Sequence, residues 1–342
     1  MAGRLLVFGP RTNPPGAGVF LCLTVCVTCG TNPYRPIKVA EADMNNITTL
    51  HPTKPEAFSP ESELYFDVWE RPAFFKGGQN IEPTYYCDYG HKHIVRLWKD
   101  NPVSIGLVGR NYKLLKNREL CEGIEDTFME TLTKAELDGV QRRDRISYLG
   151  GTSIRQYIFP AIGADIGSGR SNVAFRVIVV NGYDGSSSFK FYHGAIDFFC
   201  ENGMVSGSYD MMIRRHTAGL TVPRLTNKLR QSIDIFYKQA DTWKEWVGKI
   251  ISDEDAEQCY KAMPNVSERR VQQLMRQFTI ECASHGRTVW ALYSAATFYA
   301  SSDHGEFAIR ETNSDHRAST LLNREQQVRS WLNTNEFERI AA

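Results

Sequence analysis

The chain has 342 residues, of which 42% are hydrophobic and 23% are charged. These are ordinary values for a globular protein, and the length suits two domains or one large domain with a helical extension. Lys and Arg total 40 against 39 Asp and Glu, so the net charge of +1 indicates no partner, and any signal for nucleic acid or membrane must come from local clustering.

Cysteine usage and hydropathy predict the compartment. Beyond the first thirty residues the apolar runs are only as long as strands, so we expect no membrane span and no membrane partner. Five of the eight cysteines lie far apart and mostly within apolar runs, a pattern typical of buried reduced thiols: Cys87, Cys121, Cys200, Cys259 and Cys282. We therefore expect a soluble protein of the cytoplasm.

Residues 1–43 differ in composition from the rest of the chain. They hold five of the 14 prolines, and at Met44 the sequence takes on the character of an ordinary protein start. We predict a disordered or spurious N-terminal extension that belongs to no fold. Its short apolar run lacks the cleavage site of a signal peptide.

One cysteine motif in this extension has the spacing of a metal-cluster site. Cys22, Cys26 and Cys29 follow the pattern that holds a four-iron cluster in radical enzymes using S-adenosylmethionine. The strand-helix repeat of a barrel does not follow, and Thr28 stands where an aromatic residue is usual. We therefore predict no cofactor.

The segment 44–210 is predicted to be a sheet-rich α+β core. We expect residues 44–82 to form an extended arm. We also expect one strand on each side of an Asn101-Pro102 turn. A helix is predicted for 117–137 from apolar residues at every fourth position. Further strands are predicted around Gly150-Gly151, at 175–180 and at 189–192.

The segment 211–342 is predicted to hold a basic arm and a helical region. An apolar seam with steps of three and four residues predicts one long helix, as a core helix or an oligomer contact: Leu225, Leu229, Ile233, Phe236, Ala240, Trp243, Val247 and Ile250. Three more helices are predicted at 267–284, 289–300 and 320–340. The fold class is therefore α+β, with a central, mostly antiparallel sheet, packed helices and a helical C-terminal part.

Three stretches of the chain together resemble one known family. The stretches are Val108–Tyr112 with Asn117 and Phe128, Asn181–Ser186 followed by Phe199–Gly203, and Gly286–Ala295. The family is that of phage- and plasmid-encoded proteins containing domain of unknown function 932, and the resemblance covers about residues 100–310. It implies a mobile-element protein that acts on DNA or on host defence, and it supplies no catalytic residue.

The strongest local charge signal lies between Met211 and Gln231. Five cations occur there without an acidic residue among them, and we predict that they contact nucleic acid: Arg214, Arg215, Arg224, Lys228 and Arg230. Clusters of this kind bind phosphates through charge contacts and counterion release, although a solvated helix face is the simpler interpretation. Gly219 and Pro223 suggest a flexible arm that enters the long helix.

Two weaker signals lie near these residues. Four aromatic residues that precede the basic arm could stack on bases, although most suit a core better: Tyr183, Phe189, Phe191 and Tyr192. His91 and His93, with Cys87 and Asp88, could hold a metal, because alternate strand residues share a face. Surface histidines are the commoner case.

These observations leave three functions open. The first is a non-enzymatic phage protein of DNA metabolism and recombination that binds, or also anneals, single-stranded DNA and assembles as a homo-oligomer. The second is an interaction protein that blocks a host defence factor. The third is a metal-dependent enzyme with a pocket near His91 and His93, although the sequence contains no catalytic signature.

Overall fold

The structure, a computed structural model, describes nine stretches of the chain: residues 54–58, 62–77, 84–167, 172–185, 188–197, 203–204, 211–217, 226–309 and 316–342. The predicted extension, its three-cysteine motif and the predicted arm residues Gly219, Pro223 and Arg224 lie outside these stretches. Within them, no helix combines the length and the apolar character that a membrane span requires.

The first sheet has three antiparallel strands in the order β1-β2-β3. The strands are β1 Val68–Gly77, β2 Thr84–Trp98 and β3 Asn101–Gly109. The turn between β2 and β3 lies two residues earlier than predicted. Lys99 and Asp100 form it, with φ angles of 49° and 63°, because two residues of positive φ match the twist of a tight hairpin. Pro102 therefore lies in β3, an edge strand, where the missing N–H is tolerated.

The second sheet has six strands, which pair antiparallel in the order β4-β5-β6-β7-β8, with β9 also paired to β7. The strands are β4 Gln141–Ser147, β5 Thr152–Asp165, β6 Asn172–Gly182, β7 Phe189–Asp197, β8 Gly203–Met204 and β9 Met211–Arg214. Tyr148 and Leu149, predicted as part of a strand, form the turn between β4 and β5 instead, since both have positive φ. The remaining predicted strands are present, and the antiparallel α+β class is confirmed.

Seven helices lie in the described part of the chain. They are α1 Asn117–Thr131, α2 Thr226–Gly248, α3 Asp253–Lys261, α4 Glu268–His285, α5 Val289–Ser301, α6 Arg317–Leu332 and α7 Asn335–Ala341. The helix predicted for 320–340 is two helices, because the Thr334 side chain accepts the N–H of Phe337 and begins α7. The sequence did not reveal α3, which the Ser252 side chain caps in the same way.

The seam of α2 is buried within this chain. Phe236 lies 5.8 Å from Phe175 of β6, and Trp243 lies 6.1 Å from Trp290 of α5, measured between ring centroids. The core interpretation of the seam is therefore correct. Its predicted last member, Ile250, follows the end of the helix and is 85% exposed, whereas Trp246 is buried. The homo-oligomer stays a prediction.

Helices cover both faces of the second sheet. On one face, Tyr157, Phe175 and Phe191 belong to the same hydrophobic cluster as the buried sides of α1 and α2. On the other face, Ile178 and its neighbours pack against Leu322 of α6. The residues after 211 thus share one core with the sheet that precedes them.

Candidate nucleic-acid interface

Residues of the first two family-like motifs form a buried joint between the two sheets. The Tyr112 hydroxyl donates a hydrogen bond to the Gly182 carbonyl at 2.6 Å. The Asn181 amide donates to the Asn117 side-chain oxygen at 2.8 Å, and the Asn117 backbone N–H donates to the Tyr183 hydroxyl at 2.7 Å. Apart from the Asn181 side-chain oxygen, these polar groups form hydrogen bonds inside the protein, so the motifs hold the fold at this point.

Glycine is required where the two sheets meet. A Cβ at Gly106 of β3 would lie 2.6 Å from the Cα of Asp184 and would also collide with the Tyr183 carbonyl oxygen. Gly185 has a φ of 78°, in the region that glycine adopts most readily. Asp184 and Gly185 lie in the connection between β6 and β7, where an Asp-Gly pair is a preferred turn sequence.

The third motif belongs to the helical core. Trp290 and Tyr293 of α5 are fully buried, and the Thr288 side chain caps the helix by accepting the N–H of Ala291. Gly286, with a φ of 67°, ends the preceding helix α4. This motif therefore contributes mainly packing, and its exposed cation, Arg287, is paired with Asp253.

His216 fixes the segment after β9 onto the joint. Its ring stacks on Tyr112 with centroids 4.8 Å apart and an angle of 16° between the rings. The Lys113 N–H donates to the His216 carbonyl at 3.0 Å, and His216 Nδ1 lies 3.2 Å from the Lys113 carbonyl. Burial lowers the pKa of His216, so the imidazole is neutral at pH 7 and its Nδ1–H donates to that carbonyl.

This attachment brings exposed cations of two distant segments together. Arg214 ends β9, which is hydrogen-bonded to β7, and Arg215 follows it directly. Lys113 lies opposite His216, and Arg110 is three residues before Lys113. All four cations are exposed, and we call Arg110, Lys113, Arg214 and Arg215 the basic surface. The sequence predicted two of them, whereas Arg110 and Lys113 become recognisable only through the contact with His216.

The other predicted arm residues have different surroundings. Lys228 is half-buried on α2, and Arg224 lies outside the described residues. Arg230 donates to the two carboxylate oxygens of Glu136 at 2.5 and 3.2 Å and also to the Thr131 carbonyl. The hydrogen bond from Arg230 lowers the pKa of Glu136 to about 2. The charge of Arg230 is thus balanced by the carboxylate of Glu136 in the same chain.

The aromatic residues predicted to stack on bases are not accessible. Tyr183, Phe189, Phe191 and Tyr192 are all less than 4% exposed, so the core interpretation is confirmed. Other aromatic side chains on β1 and β2 are about half exposed: Phe74, Phe75, Tyr85 and Tyr86. We call residues 73–77 and 84–88 the aromatic ribbon. Part of it falls in 44–82, where the sequence predicted an irregular arm.

The two candidate metal ligands on β2 bind separate neighbours. His91 Nδ1 lies 2.8 Å from the carboxylate of Asp88, and His93 Nδ1 lies 2.8 Å from the Ser104 hydroxyl. Among the described residues, no group of three or more His, Cys, Asp or Glu side chains has the geometry to hold a metal ion.

A buried charged network lies under the second sheet. Arg155 is 1% exposed and donates to both carboxylate oxygens of Asp144, at 2.8 and 2.9 Å. It lies 3.2 Å from Glu125, whose pKa is raised by burial against the opposing effects of Tyr157 and Arg155. Arg155 also donates to the Tyr65 hydroxyl at 2.6 Å. The donors of Arg155 are already engaged with protein groups. We therefore infer that the network attaches the segment before β1, which contains Tyr65, to the second sheet.

The fold and the joint define an α+β protein of two antiparallel sheets, with residues of the first two family-like motifs at their junction and the third motif in the helical core. The chain belongs to the family of proteins with a domain of unknown function (DUF932), whose model matches residues 104–327. The match includes all three motifs and the basic surface, and the aromatic ribbon precedes it. Comparisons with curated proteins and with solved structures gave no match.

Proposed function

We propose that this chain is a non-enzymatic, single-stranded DNA-binding protein of phage DNA metabolism. The observation that carries the proposal is the contact of His216 with Tyr112 and Lys113, which joins two segments about a hundred residues apart. One segment bears the exposed cations Arg110 and Lys113, and the other bears Arg214 and Arg215. A protein with a net charge of +1 gains local attraction for phosphates only by such clustering.

The position of the basic surface suits a flexible strand. Arg214 and Arg215 lie at the end of β9, and Lys113 is held beside them by backbone hydrogen bonds. Cations on a rigid scaffold lose less entropy when they bind phosphates than cations on a mobile arm. Four phosphate contacts to a single strand correspond to a slope of about −3 in a plot of log K against log salt.

The test is fluorescence anisotropy of a labelled oligonucleotide titrated at several salt concentrations. The triple variant Lys113→Ala, Arg214→Ala, Arg215→Ala should bind more weakly to every sequence and flatten the salt slope by about two units. A control variant removes the same charge from exposed positions elsewhere, namely Lys134→Ala, Lys238→Ala and Arg269→Ala. It should keep most of the wild-type slope.

Arg230 provides a second comparison. Because Glu136 already balances its charge, Arg230→Ala should flatten the slope less than Arg214→Ala does. Unfolding temperatures of all variants confirm that they are folded. If the wild-type protein binds no oligonucleotide at low salt, or if the control variant weakens binding as much as the triple variant, the proposal is wrong.

A further inference from the structure

The aromatic ribbon extends past the third strand of its sheet. The pairing of β2 with β3 ends at His91 and Gly109, whereas the pairing of β1 with β2 continues to Gly77 and Thr84. The register shifts after Pro72, so β2 has extra residues around Gly90 that form a bulge. The ribbon beyond the bulge is therefore two-stranded, and β3 does not pair with its β2 edge.

Aromatic side chains occupy both faces of this ribbon. Phe75 and Tyr86 are cross-strand partners whose rings stack at 5.7 Å with an angle of 25°. Phe74, which pairs with Cys87, and Tyr85 lie on the opposite face, because side chains alternate along a strand. The four rings are 48–55% exposed. Flat apolar groups exposed on a two-stranded ribbon are typical of a surface that contacts a ligand.

The charges around the rings favour an anionic ligand. Arg71 and Lys76 are exposed on β1. Among the described residues, the acids nearest the rings have protein partners, since Asp88 accepts from the Gly90 N–H at 2.8 Å and Glu70 accepts from Lys92 at 2.8 Å. Exposed aromatic faces between cations are the combination that unpaired bases and their phosphates require.

A direct contact connects the ribbon with the basic surface. The Arg110 N–H donates to the Gly90 carbonyl at 2.8 Å, so the bulge at the base of the ribbon adjoins the first cation of that surface. A strand whose phosphates lie on Arg110 and Lys113 would therefore continue along the ribbon.

We propose that the aromatic ribbon stacks on unpaired bases of a nucleic-acid strand and gives the protein its preference for single strands over duplexes. The inference rests on the proposed function. In a duplex the base faces are already stacked on one another, so the ribbon contributes only to the binding of single strands.

The test compares three ligands of equal length: a thymidine oligonucleotide, an abasic oligonucleotide and a duplex. The abasic strand retains the phosphates and lacks the bases. The wild-type protein should bind the thymidine strand at least about fivefold more tightly than the abasic strand, since each stacked base is worth about 5- to 150-fold. The variant Phe75→Ala, Tyr86→Ala should lose most of this ratio and keep its salt slope.

Two further variants separate stacking from folding of the ribbon. Phe75→Leu, Tyr86→Leu keeps an apolar cross-strand pair without aromatic faces, and it should lose the ratio as the alanine variant does. Leu97→Ala, Leu107→Ala removes side chains that are 53% exposed elsewhere on the same sheet, and it should retain the wild-type ratio.

The outcomes distinguish the two proposals. If the wild-type protein binds thymidine and abasic strands equally, or if both Phe75 and Tyr86 variants retain the ratio, the ribbon does not stack on bases, although the proposed function stands. If the wild-type protein binds none of the three ligands, both proposals are overturned.

Discussion

Replacing Arg155 by Met should strongly destabilise the fold. The guanidinium holds Asp144 through two hydrogen bonds of 2.8 and 2.9 Å and also bonds to Ser62, Tyr65 and Glu125. Met fills a similar volume but leaves two buried carboxylates without this cation. Breaking a buried ion pair costs about 3–5 kcal/mol when the remaining charge is desolvated and unpaired. Asp144 retains Arg142 at 3.3 Å and Glu125 retains Lys54 at 3.4 Å, so we expect a cost near the lower end of this range.

The matched control for this variant is Arg276→Met. Arg276 also binds a carboxylate through two nitrogens, to Glu306 at 2.8 and 2.9 Å, but its side chain is 55% exposed. Exposed pairs contribute about 0.2–1 kcal/mol, since water solvates both charges when the pair is lost. Both arginines bind a carboxylate through two nitrogens, so the difference between the costs of the two substitutions measures the effect of burial. Urea unfolding followed by circular dichroism measures both changes.

The pH dependence gives a sharper check of the same prediction. Burial raises the pKa of Glu125, and Arg155 opposes that rise, so the pKa should be higher still in Arg155→Met. A carboxyl with a raised folded pKa stabilises the fold below its unfolded pKa of about 4.3, and this contribution is lost as the pH rises through the folded value. The cost of Arg155→Met should thus be largest at neutral pH and shrink toward about pH 4.5. A cost at neutral pH no larger than that of Arg276→Met, or one that grows on acidification, would refute the reasoning.

Two further substitution pairs test the core and the joint. Phe236→Ala should lower the free energy of unfolding by about 3–5 kcal/mol, whereas Tyr237→Ala, at a site 44% exposed, should change it by about 0.5 kcal/mol. Equal effects in urea titrations would place Phe236 outside the core. Gly106→Ala should cost about 1–3 kcal/mol or more, because its Cβ would meet the backbone of Tyr183. Gly109→Ala meets nothing within 4 Å and should melt at the wild-type temperature; a matching loss there would show that the strand, and not the joint, requires glycine.

Local signals explain why most helices were predictable from the sequence. Ser267 caps α4 through the Arg270 N–H, and Gly286 ends it, so both limits of that helix are set by residues within it or beside it. The interior of α2 could be predicted from the spacing of its apolar residues, which is also a local signal. A single side chain can interrupt an otherwise regular pattern, as Thr334 does before α7. The prediction from periodicity alone therefore joined α6 and α7 into one helix.

Contacts between residues that are far apart in the sequence could not be predicted from local patterns. The five cations between Met211 and Gln231 formed one run in the sequence, yet Arg230 pairs with Glu136, 94 residues away, and the segment of Arg214 lies against Lys113. The exposure of the rings of the aromatic ribbon could not be predicted from the sequence either, because an aromatic-rich segment resembles a buried strand until its partners are known.

The joint and the surfaces beside it have different roles. Tyr112, Asn117 and Tyr183 direct their polar atoms toward one another and toward the backbone, so they have little left to offer a ligand. Their effect on function is positional, since the same Tyr112 ring carries His216 and thereby sets Arg214 and Arg215 beside Lys113. A substitution at Tyr112 should therefore disturb the proposed DNA binding through the geometry of the basic surface, without removing any group proposed to contact the strand.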